Sequence, residues 1–254
     1  MRAENIMLCI IIPTLNEERN LALCLSSLQS DCGNQYEIII VDGGSKDQTV
    51  GIAEKYCAKI IVEPACPEFK SRNMGAEKAK GDILLFTCAD VIFPKDLLGA
   101  VHEKFAEDSR LVALSGPGIP FDAPAIGRIE YELYNLFRYI LAKLPRKLKR
   151  FSASTNFLAM KKSVFKEIGG FQLNDVNADG IMGKKLAEIG KIQFSMGMRV
   201  YISARRMRNM GFINFNKHYL YVLENFFPEL SGTAFLKRLK QKSGRVHKKM
   251  HESN

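Results

Sequence analysis

Two carboxylates stand directly after apolar runs that are suited to buried strands. Asp42 ends the run "YEIIIVD", and Asp90 follows "ILLFTCA" just before apolar residues resume. A carboxylate at the end of a buried strand is unfavourable unless it binds something, so both residues indicate a ligand site. Carboxylate oxygens suit a hard divalent cation that also contacts the oxygens of a phosphate group. The sequence therefore predicts chemistry on a phosphorylated ligand.

Strand-like and helix-like segments alternate around these carboxylates. Helical periodicity appears between the strands, and in the first such segment Leu21, Leu25 and Leu28 share a face. The apolar, β-rich runs cover residues 6–12, 36–42, 59–63 and 82–87. This alternation predicts an α/β fold with a mostly parallel sheet, helices on both faces, and ligands beyond the carboxyl ends of the strands. Asp42, Asp90 and the loop "PTLNEE" (13–18) then meet at one rim of the sheet.

Several classes of protein are excluded by motifs that the sequence lacks. There is no G-x-G-x-x-G after the first strand and no G-x-x-x-x-G-K-[ST], which argues against dinucleotide enzymes and P-loop nucleotidases. The six cysteines form no C-x-x-C pair and have no histidine nearby. They indicate neither a zinc site nor a disulfide framework, and we expect mostly buried thiols.

The composition predicts a folded protein of the cytosol. With 254 residues, 46% of them hydrophobic and 25% charged, the chain can bury a sizeable core. No apolar run approaches the roughly 18 to 20 residues that a membrane-spanning helix needs. The N-terminal apolar run, between Glu4 and Pro13, is too short for the core of a signal peptide.

Positive charge is concentrated in two runs of an otherwise nearly neutral chain of net charge +10. Residues 143–150 hold five Lys or Arg and no acid, and residues 234–254 hold seven against one acid. Such runs favour an anionic surface as partner, and the alternative is a solvated helix face with an irregular tail.

The first basic run ends a segment of helical period, residues 125–151. Its apolar stripe consists of Ile126, Ile129, Leu133, Leu136, Phe137, Ile140, Leu141 and Leu144. A wide stripe followed by cations is typical of a helix at a membrane surface, but packing against the sheet would demand the same stripe.

Four segments resemble the successive motifs of the family 2 glycosyltransferases, which have the A-type nucleotide-diphospho-sugar transferase fold. They are "IIIPTLNEE", "IIIVDGGSKDQT", "SRNMGAEKAKGDILLFTCADV" and "KEIGGFQLNDVNADGIMGKKLAEIGKI". The pieces "VDGGSKDQT" and "ISARRMRNMGF" further resemble a bacterial and archaeal subgroup. The resemblance implies one domain with a nucleotide-sugar-binding half (1–94) and an acceptor-binding half (95–213), followed by a basic helical extension (214–254).

The resemblance also implies residues that hold the donor. The first loop would hold the nucleoside through Pro13, Thr14, Leu15, Asn16 and Glu17. Asp42, followed by Gly43, would accept a hydrogen bond from uracil or guanine, and its alternative is a turn cap. Arg72 would neutralise phosphate, and its alternative is an exposed helical arginine.

Asp90 matches the last acid of the family's Asp-x-Asp motif, which holds Mg²⁺ or Mn²⁺ against the diphosphate. In this chain the motif reads Cys88, Ala89 and Asp90, with Ala89 and Asp90 at the donor. One carboxylate is enough for magnesium when phosphate supplies other ligands. Cys88 is a poor ligand for Mg²⁺, so a site without metal is the alternative.

On the acceptor side the resemblance assigns the general base of an inverting reaction to Asp179. Ala178 replaces the glutamate that usually precedes it, Asp175 is a rival, and a helix cap is the alternative. Arg205 and Arg206 follow a strand and would bind the leaving diphosphate or a phosphorylated acceptor, unless they lie in a solvated basic loop.

The predicted function is metal-assisted, inverting transfer of a sugar from a UDP-sugar or GDP-sugar to a hydroxyl or phosphate acceptor in the cytosol. A lipid-linked acceptor at the inner face of the cell membrane is one form that this acceptor can take. The alternatives are a non-catalytic nucleotide-sugar-binding relative, a sugar-phosphate nucleotidyltransferase and a nucleic-acid-binding module. The first loop lacks the glycine-rich sequence of a nucleotidyltransferase, and the basic tail lacks interleaved aromatics, so no nucleic-acid partner is expected.

Overall fold

The apolar runs form strands and the periodic segments form helices in the computed structural model, which describes residues 6–29, 36–143, 153–172 and 178–210. The strands are β1 (Leu8–Thr14), β2 (Tyr36–Asp42), β3 (Lys59–Val62), β4 (Ile83–Phe86), β5 (Val91–Ile92), β6 (Leu111–Ser115), β7 (Gly118–Pro120), β8 (Leu158–Lys161), β9 (Lys191–Phe194) and β10 (Val200–Ile202). The helices are α1 (Leu21–Gln29), α2 (Thr49–Lys55), α3 (Glu68–Lys78), α4 (Leu97–Glu107), α5 (Ala125–Lys143), α6 (Lys162–Glu167), α7 (Ala178–Ile189) and α8 (Arg205–Met210).

The central sheet has seven strands in the order β3-β2-β1-β4-β8-β6-β9. The first four strands in this order are parallel, and β6 is parallel to β9. β8 is antiparallel to both of its neighbours, β4 and β6. The predicted mostly parallel sheet is confirmed. Since Thr14 is the register partner of Asp42, the loops after β1 and β2 leave the sheet at the same edge.

Helices cover both faces of this sheet, as predicted. On one face α1 and α4 bury their apolar sides, including Leu21, Leu25 and Leu28. On the other face α3, α6 and α7 pack around Phe165 and Leu186. The strands between the two layers are apolar on both sides, which is why β1 and β4 read as continuous apolar runs.

A second, three-stranded sheet has the order β5-β10-β7. β5 begins directly after Asp90, and β10 is followed within three residues by α8, which begins at Arg205. Pairing of Ile202 with Val91 therefore brings α8 next to the end of β4. This small sheet is the element that carries the late basic segment to the rim formed by the first strands.

The thiols are less buried than predicted. Cys9 and Cys24 are buried, but Cys57 is exposed and Cys66 and Cys88 are half-buried. Cys57 lies in a turn after α2, where its positive φ of 55° turns the chain at the surface, so the expectation of mostly buried thiols was wrong there. The five described cysteines are all free thiols.

Some predicted features lie outside the described residues. These are Cys32, Asp175, Leu144, the remainder of the first basic run, and the C-terminal extension 214–254. Within the described segments, no helix is long and apolar enough to cross a membrane.

Candidate functional site

Asp42 is fully buried at the end of β2, and its carboxylate is bound by its own loop. Thr14 and Ser45 donate their hydroxyls to Oδ1 at 2.9 and 2.5 Å, and the backbone N–H groups of Gly44 and Ser45 donate to Oδ2 at 2.9 and 2.7 Å. This is the turn-cap geometry that the sequence left as an alternative. Recognition of a base by Asp42 stays a prediction and would require exchange of one of these hydrogen bonds.

The loops after β1 and β2 interlock. The Asn16 N–H donates to the Ser45 hydroxyl at 2.8 Å, and the Lys46 N–H donates to Asn16 Oδ1 at 2.9 Å. The Glu17 N–H donates to Thr49 Oγ1 at 2.8 Å. Asn16 adopts a φ of 53°, a conformation that asparagine tolerates better than most residues. The cross-links fix both loops in one shape.

The remaining residues of the donor prediction line this rim. Leu15 and Asn16 are exposed, and Pro13 is half-buried. The Gly43 N–H donates to the Thr14 carbonyl at 2.8 Å, which closes the base of the rim. Ala89 is buried just before Asp90. The side chains of Leu15 and Asn16 are thus exposed where a ligand can reach them, while the buried Asp42 carboxylate stabilises the turn beneath.

A guanidinium bridges the rim. Arg205 contacts the Glu17 carboxylate twice, with Nη1 to Oε2 at 3.0 Å and Nη2 to Oε1 at 2.6 Å. Its Nη2 also lies 3.7 Å from Asp90 Oδ2. The hydrogen bond to Glu17, with the charge of Asp90 behind it, raises the pKa of the Arg205 guanidinium. The loop after β1, the turn after β4 and the start of α8 are therefore joined by one cation between two carboxylates.

Asp122 holds α8 in place. It accepts hydrogen bonds from the Ser203 hydroxyl at 3.0 Å and from the Ala204 N–H at 2.5 Å, and it pairs with Arg208. Although partial burial opposes ionisation, these donors lower the pKa of the Asp122 carboxyl. Arg206 belongs to the same short helix, but its side chain is not among those that the structure describes.

Arg72 is buried beneath the end of β4, so it is not the exposed helical arginine of the alternative interpretation. It donates to the Thr87 carbonyl at 2.8 Å, to Glu68 Oε1 at 2.7 Å and to the Cys88 sulfur at 3.2 Å. Burial lowers the pKa of its guanidinium, but the nearby acids Cys88 and Glu68 outweigh burial and leave the pKa raised. A direct contact of Arg72 with phosphate stays a prediction.

Asp179 lies in the first turn of α7, on the Arg72 side of β4. Its Oδ2 accepts from the Thr155 N–H and hydroxyl, both at 3.3 Å, and Thr155 belongs to a different segment, which precedes β8. Its Oδ1 is closed to solvent and has no hydrogen-bond partner among the residues described. Burial raises the pKa of the Asp179 carboxyl, and the charge of Arg72 opposes the rise.

The metal prediction depends on Asp90, because the described residues contain no cluster of three or more His, Cys, Asp or Glu side chains that could hold an ion. Asp90 and Glu17 already face a shared cationic group, Arg205. Cys88, in the place of the first acid of the motif, turns its sulfur towards Arg72. These residues fit a divalent cation that takes most of its oxygen ligands from a diphosphate and water.

Sequence reasoning missed two acids of this region. Glu68 precedes Arg72 by one helical turn, and this spacing is a readable signal for an ion pair. Asp122 has no such signal, because its partners Ser203 and Ala204 lie 81 and 82 residues away.

The chain matches one protein-family model and parts of several curated proteins. A family model described as Glycosyl transferase family 2 matches residues 9–169. The glycosyltransferase AglE of Haloferax volcanii is 27% identical over 179 residues, which cover 64% of this chain and 55% of AglE. Such matches span between about a fifth and about a half of the length of the curated relatives.

Solved structures share the fold. The mannosyltransferase PcManGT of Pyrobaculum calidifontis, in complex with GDP-Man and Mn²⁺, superposes with a TM-score of 0.69 at 17% identity, over 95% of this chain and 70% of that one. Staphylococcus aureus TarS 1-349 with UDP-GlcNAc gives 0.64 at 17% identity, over 93% of this chain and 71% of that one. The A-type fold expected from the motifs is thereby confirmed.

Proposed function

The chain belongs to the family 2 glycosyltransferases, and on that premise we propose that it transfers a sugar from a nucleotide diphosphate sugar to a hydroxyl or phosphate acceptor. The observation that carries the proposal is the rim at which Glu17, Asp90 and Arg205 meet. Carboxylates and a guanidinium at the carboxyl ends of parallel strands are the groups that an enzyme needs to hold and release a diphosphate.

Asp90 and the diphosphate would together hold Mg²⁺ or Mn²⁺, and GDP-sugars and UDP-sugars are both candidate donors. Two structures of the same fold contain GDP-Man with Mn²⁺ and UDP-GlcNAc respectively, which supports both classes. The metal neutralises charge on the departing diphosphate when it is bound. The exposed loop of Leu15 and Asn16 would contact the nucleoside, above the Asp42 turn cap.

Arg205 would bind the leaving group. Its guanidinium is about half exposed and contacts two carboxylates. A diphosphate that reaches the rim can replace these carboxylates and bind the guanidinium in a bidentate contact. Arg206, in the same helix, is proposed to share this role. The anchoring of α8 by Asp122 keeps Arg205 within reach of the rim.

Asp179 is proposed as the general base of an inverting transfer. Its Oδ1 has no hydrogen-bond partner among the residues described, so it could accept the proton of an acceptor hydroxyl as that oxygen attacks the anomeric carbon. The raised pKa of the carboxyl makes it a stronger base once it is ionised. Because Oδ1 is closed to solvent, acceptor binding must open a path to it.

A non-catalytic nucleotide-sugar-binding relative is the second candidate. Two observations favour it: Cys88 replaces the first acid of the metal motif, and Asp179 is enclosed. The two candidates differ in turnover and agree in donor binding. A wild-type chain that binds donor without turnover would favour the non-catalytic candidate. An Asp179→Asn variant that turns over as fast as the wild type would remove the role of general base from Asp179.

The proposed function is tested by thermal stabilisation with a panel of nucleoside diphosphates and nucleotide sugars, each with and without Mn²⁺. A ligand that binds only the native state raises the free energy of unfolding, by about 2.7 kcal/mol at a ligand concentration of a hundred times Kd. The melting temperature rises accordingly. We expect one nucleotide class to stabilise in a Mn²⁺-dependent way that Asp90→Ala abolishes and that Asp82→Ala, at an exposed site, preserves. Failure of every nucleotide at millimolar concentration would overturn the proposal.

A further inference from the structure

Helix α5 presents six residues of its apolar stripe to the outside, while two of its polar residues, Asn135 and Arg138, face the protein. Ile126, Ile129, Leu133, Leu136, Phe137 and Ile140 are between 41% and 62% exposed. Asn135 and Arg138, in contrast, are almost fully buried. For these six side chains this is the reverse of the arrangement expected for a helix that packs on a core. Packing against the protein accounts for Leu141 of the stripe, which is buried, but not for the six exposed residues.

The buried polar side chains fix this orientation. The Asn135 side-chain amide donates to the Gly118 carbonyl of β7 at 3.0 Å. The Arg138 guanidinium lies over the ring of Phe194 of β9, 4.7 Å from its centroid. Both contacts are lost if the helix rotates to bury the stripe. The outward face is thus held in place by polar contacts with two strands.

The stripe is large and regular enough to be an interaction surface. Its six side chains recur at intervals of three or four residues along a 19-residue helix, with one adjacent pair, so they form a single band along it. Contiguous exposed apolar patches of this kind mark partner or membrane surfaces.

Charge at the end of the helix selects the partner. In the sequence, the stripe is followed closely by residues 143–150, which include five cations and no acid. A second copy of the chain would bring the same run of five cations. Like charges oppose that association, whereas an apolar band with adjacent cations complements an anionic lipid surface.

We propose that the exposed face of α5 docks on an anionic phospholipid bilayer, with its six apolar side chains in the acyl boundary, and that the cations of residues 143–150 add electrostatic attraction. The docked helix adjoins the rim, because Met207 of α8 packs against Gly127 of α5 and α8 carries Arg205. It follows, if the proposed sugar transfer is correct, that the acceptor is an amphiphile presented at that surface. The docking itself does not depend on the transfer reaction.

The test is flotation of the purified full chain with vesicles of phosphatidylcholine and phosphatidylglycerol, three parts to one, and with vesicles of phosphatidylcholine alone. We expect binding to the anionic vesicles and a decline in binding as salt is raised. The variant Ile129→Gln/Leu133→Gln/Ile140→Gln should lower the partition coefficient by about tenfold or more. All three positions are at least half exposed, so the fold tolerates the changes.

A matched control is Leu23→Gln/Val62→Gln, which removes two equally exposed apolar side chains elsewhere on the surface and should leave vesicle binding unchanged. Wild-type chain that stays unbound, or a triple variant that floats as well as the wild type, overturns the proposal. If the wild type is a dimer that does not bind vesicles, and the triple variant is a monomer, the proposal is overturned in favour of a second copy as the partner. Stabilisation by nucleotide, measured on the same variants, reports separately on the proposed function.

Discussion

At the scale of single residues, Arg205 supplies the positive charge that faces the two carboxylates of the rim. Its guanidinium satisfies Glu17 and faces Asp90, the carboxylate that is proposed to hold a divalent metal. A metal ion and Arg205 would therefore compete for the same negative charge until a diphosphate arrives to engage both.

The variant Arg205→Ala should bind Mn²⁺ more tightly than the wild type when no nucleotide is present. Half-exposed ion pairs contribute about 0.2 to 1 kcal/mol, so we expect a gain of up to about fivefold in affinity. The measurement is Mn²⁺ titration followed by electron paramagnetic resonance of the free ion. Arg110→Ala, a highly exposed control whose partner is Asp108, should not change the affinity, and weaker binding by Arg205→Ala would contradict the competition.

Asp179 should make stability depend on pH. Because burial raises its pKa in the folded state, the folded protein holds the proton more tightly than the unfolded chain. Its contribution is complete below the ordinary pKa of 3.8 and is lost as the pH rises through the raised folded value. Asp179→Asn should remove this decline, as measured by urea unfolding across that pH window.

The exposed Asp82→Asn serves as the control for that series and should retain the wild-type pH profile. A profile for Asp179→Asn that still falls with pH by the wild-type amount would show that Asp179 is not the group responsible.

The sequence was a good guide to which residues reach the rim and a poor guide to what they contact there. Asp90 and Glu17 were expected at strand ends because parallel strands share an edge. The pairing of Glu17 with Arg205 could not be read from the chain, because the two residues are 188 positions apart and no local period links them.

At the scale of elements, α3 lies unusually close to the sheet. A Cβ on Gly75 would approach Cγ2 of Ile11 on β1 to 2.5 Å and Cγ2 of Val41 on β2 to 3.3 Å. Gly75 therefore permits the close contact, and Arg72, three residues before it on the same helix, reaches the Thr87 carbonyl as a result.

Gly75→Ala should destabilise the protein by about 1 to 3 kcal/mol, because overpacking against buried β-branched side chains outweighs the helix propensity of alanine. Gly99→Ala, in the first turn of α4 with open space around it, should instead stabilise by about 0.4 to 1 kcal/mol. Urea unfolding of both variants measures the contrast, and equal effects would refute the close-packing argument.

Periodicity predicted the elements well because burial imposes it. The runs at residues 36–42 and 59–63 agree with β2 and β3 to within one residue. Periodicity could not tell which side of α5 faces the protein, because a stripe of apolar residues has the same period whether it meets a core or a surface. The decisive residues, Asn135 and Arg138, are polar and carry no hydrophobic signal.

At the scale of the whole molecule, β8 joins the two predicted halves. Strands β1 to β4 come from residues 1–94, and β8, from the second half, pairs with β4 on one side and β6 on the other. Without β8, the buried strand β4 would present an unpaired edge to water.

The full chain should therefore unfold as one unit, and a fragment of residues 1–94 should not unfold cooperatively by itself. Far-UV circular dichroism and tyrosine fluorescence, suitable because the chain has eight tyrosines and no tryptophan, should give coincident urea transitions for the full chain. Two separate transitions, or a cooperative transition in the fragment, would contradict a single unit.

The sequence separation of Glu17 and Arg205 also has a consequence for folding on the ribosome. Glu17 leaves the exit tunnel early, together with the strand before it, but its partner is synthesised 188 residues later. Contacts of such long sequence separation close late in folding. The sheet around β1 and β2 can thus assemble while the rim still lacks its cation, and the site is completed only after α8 has left the tunnel.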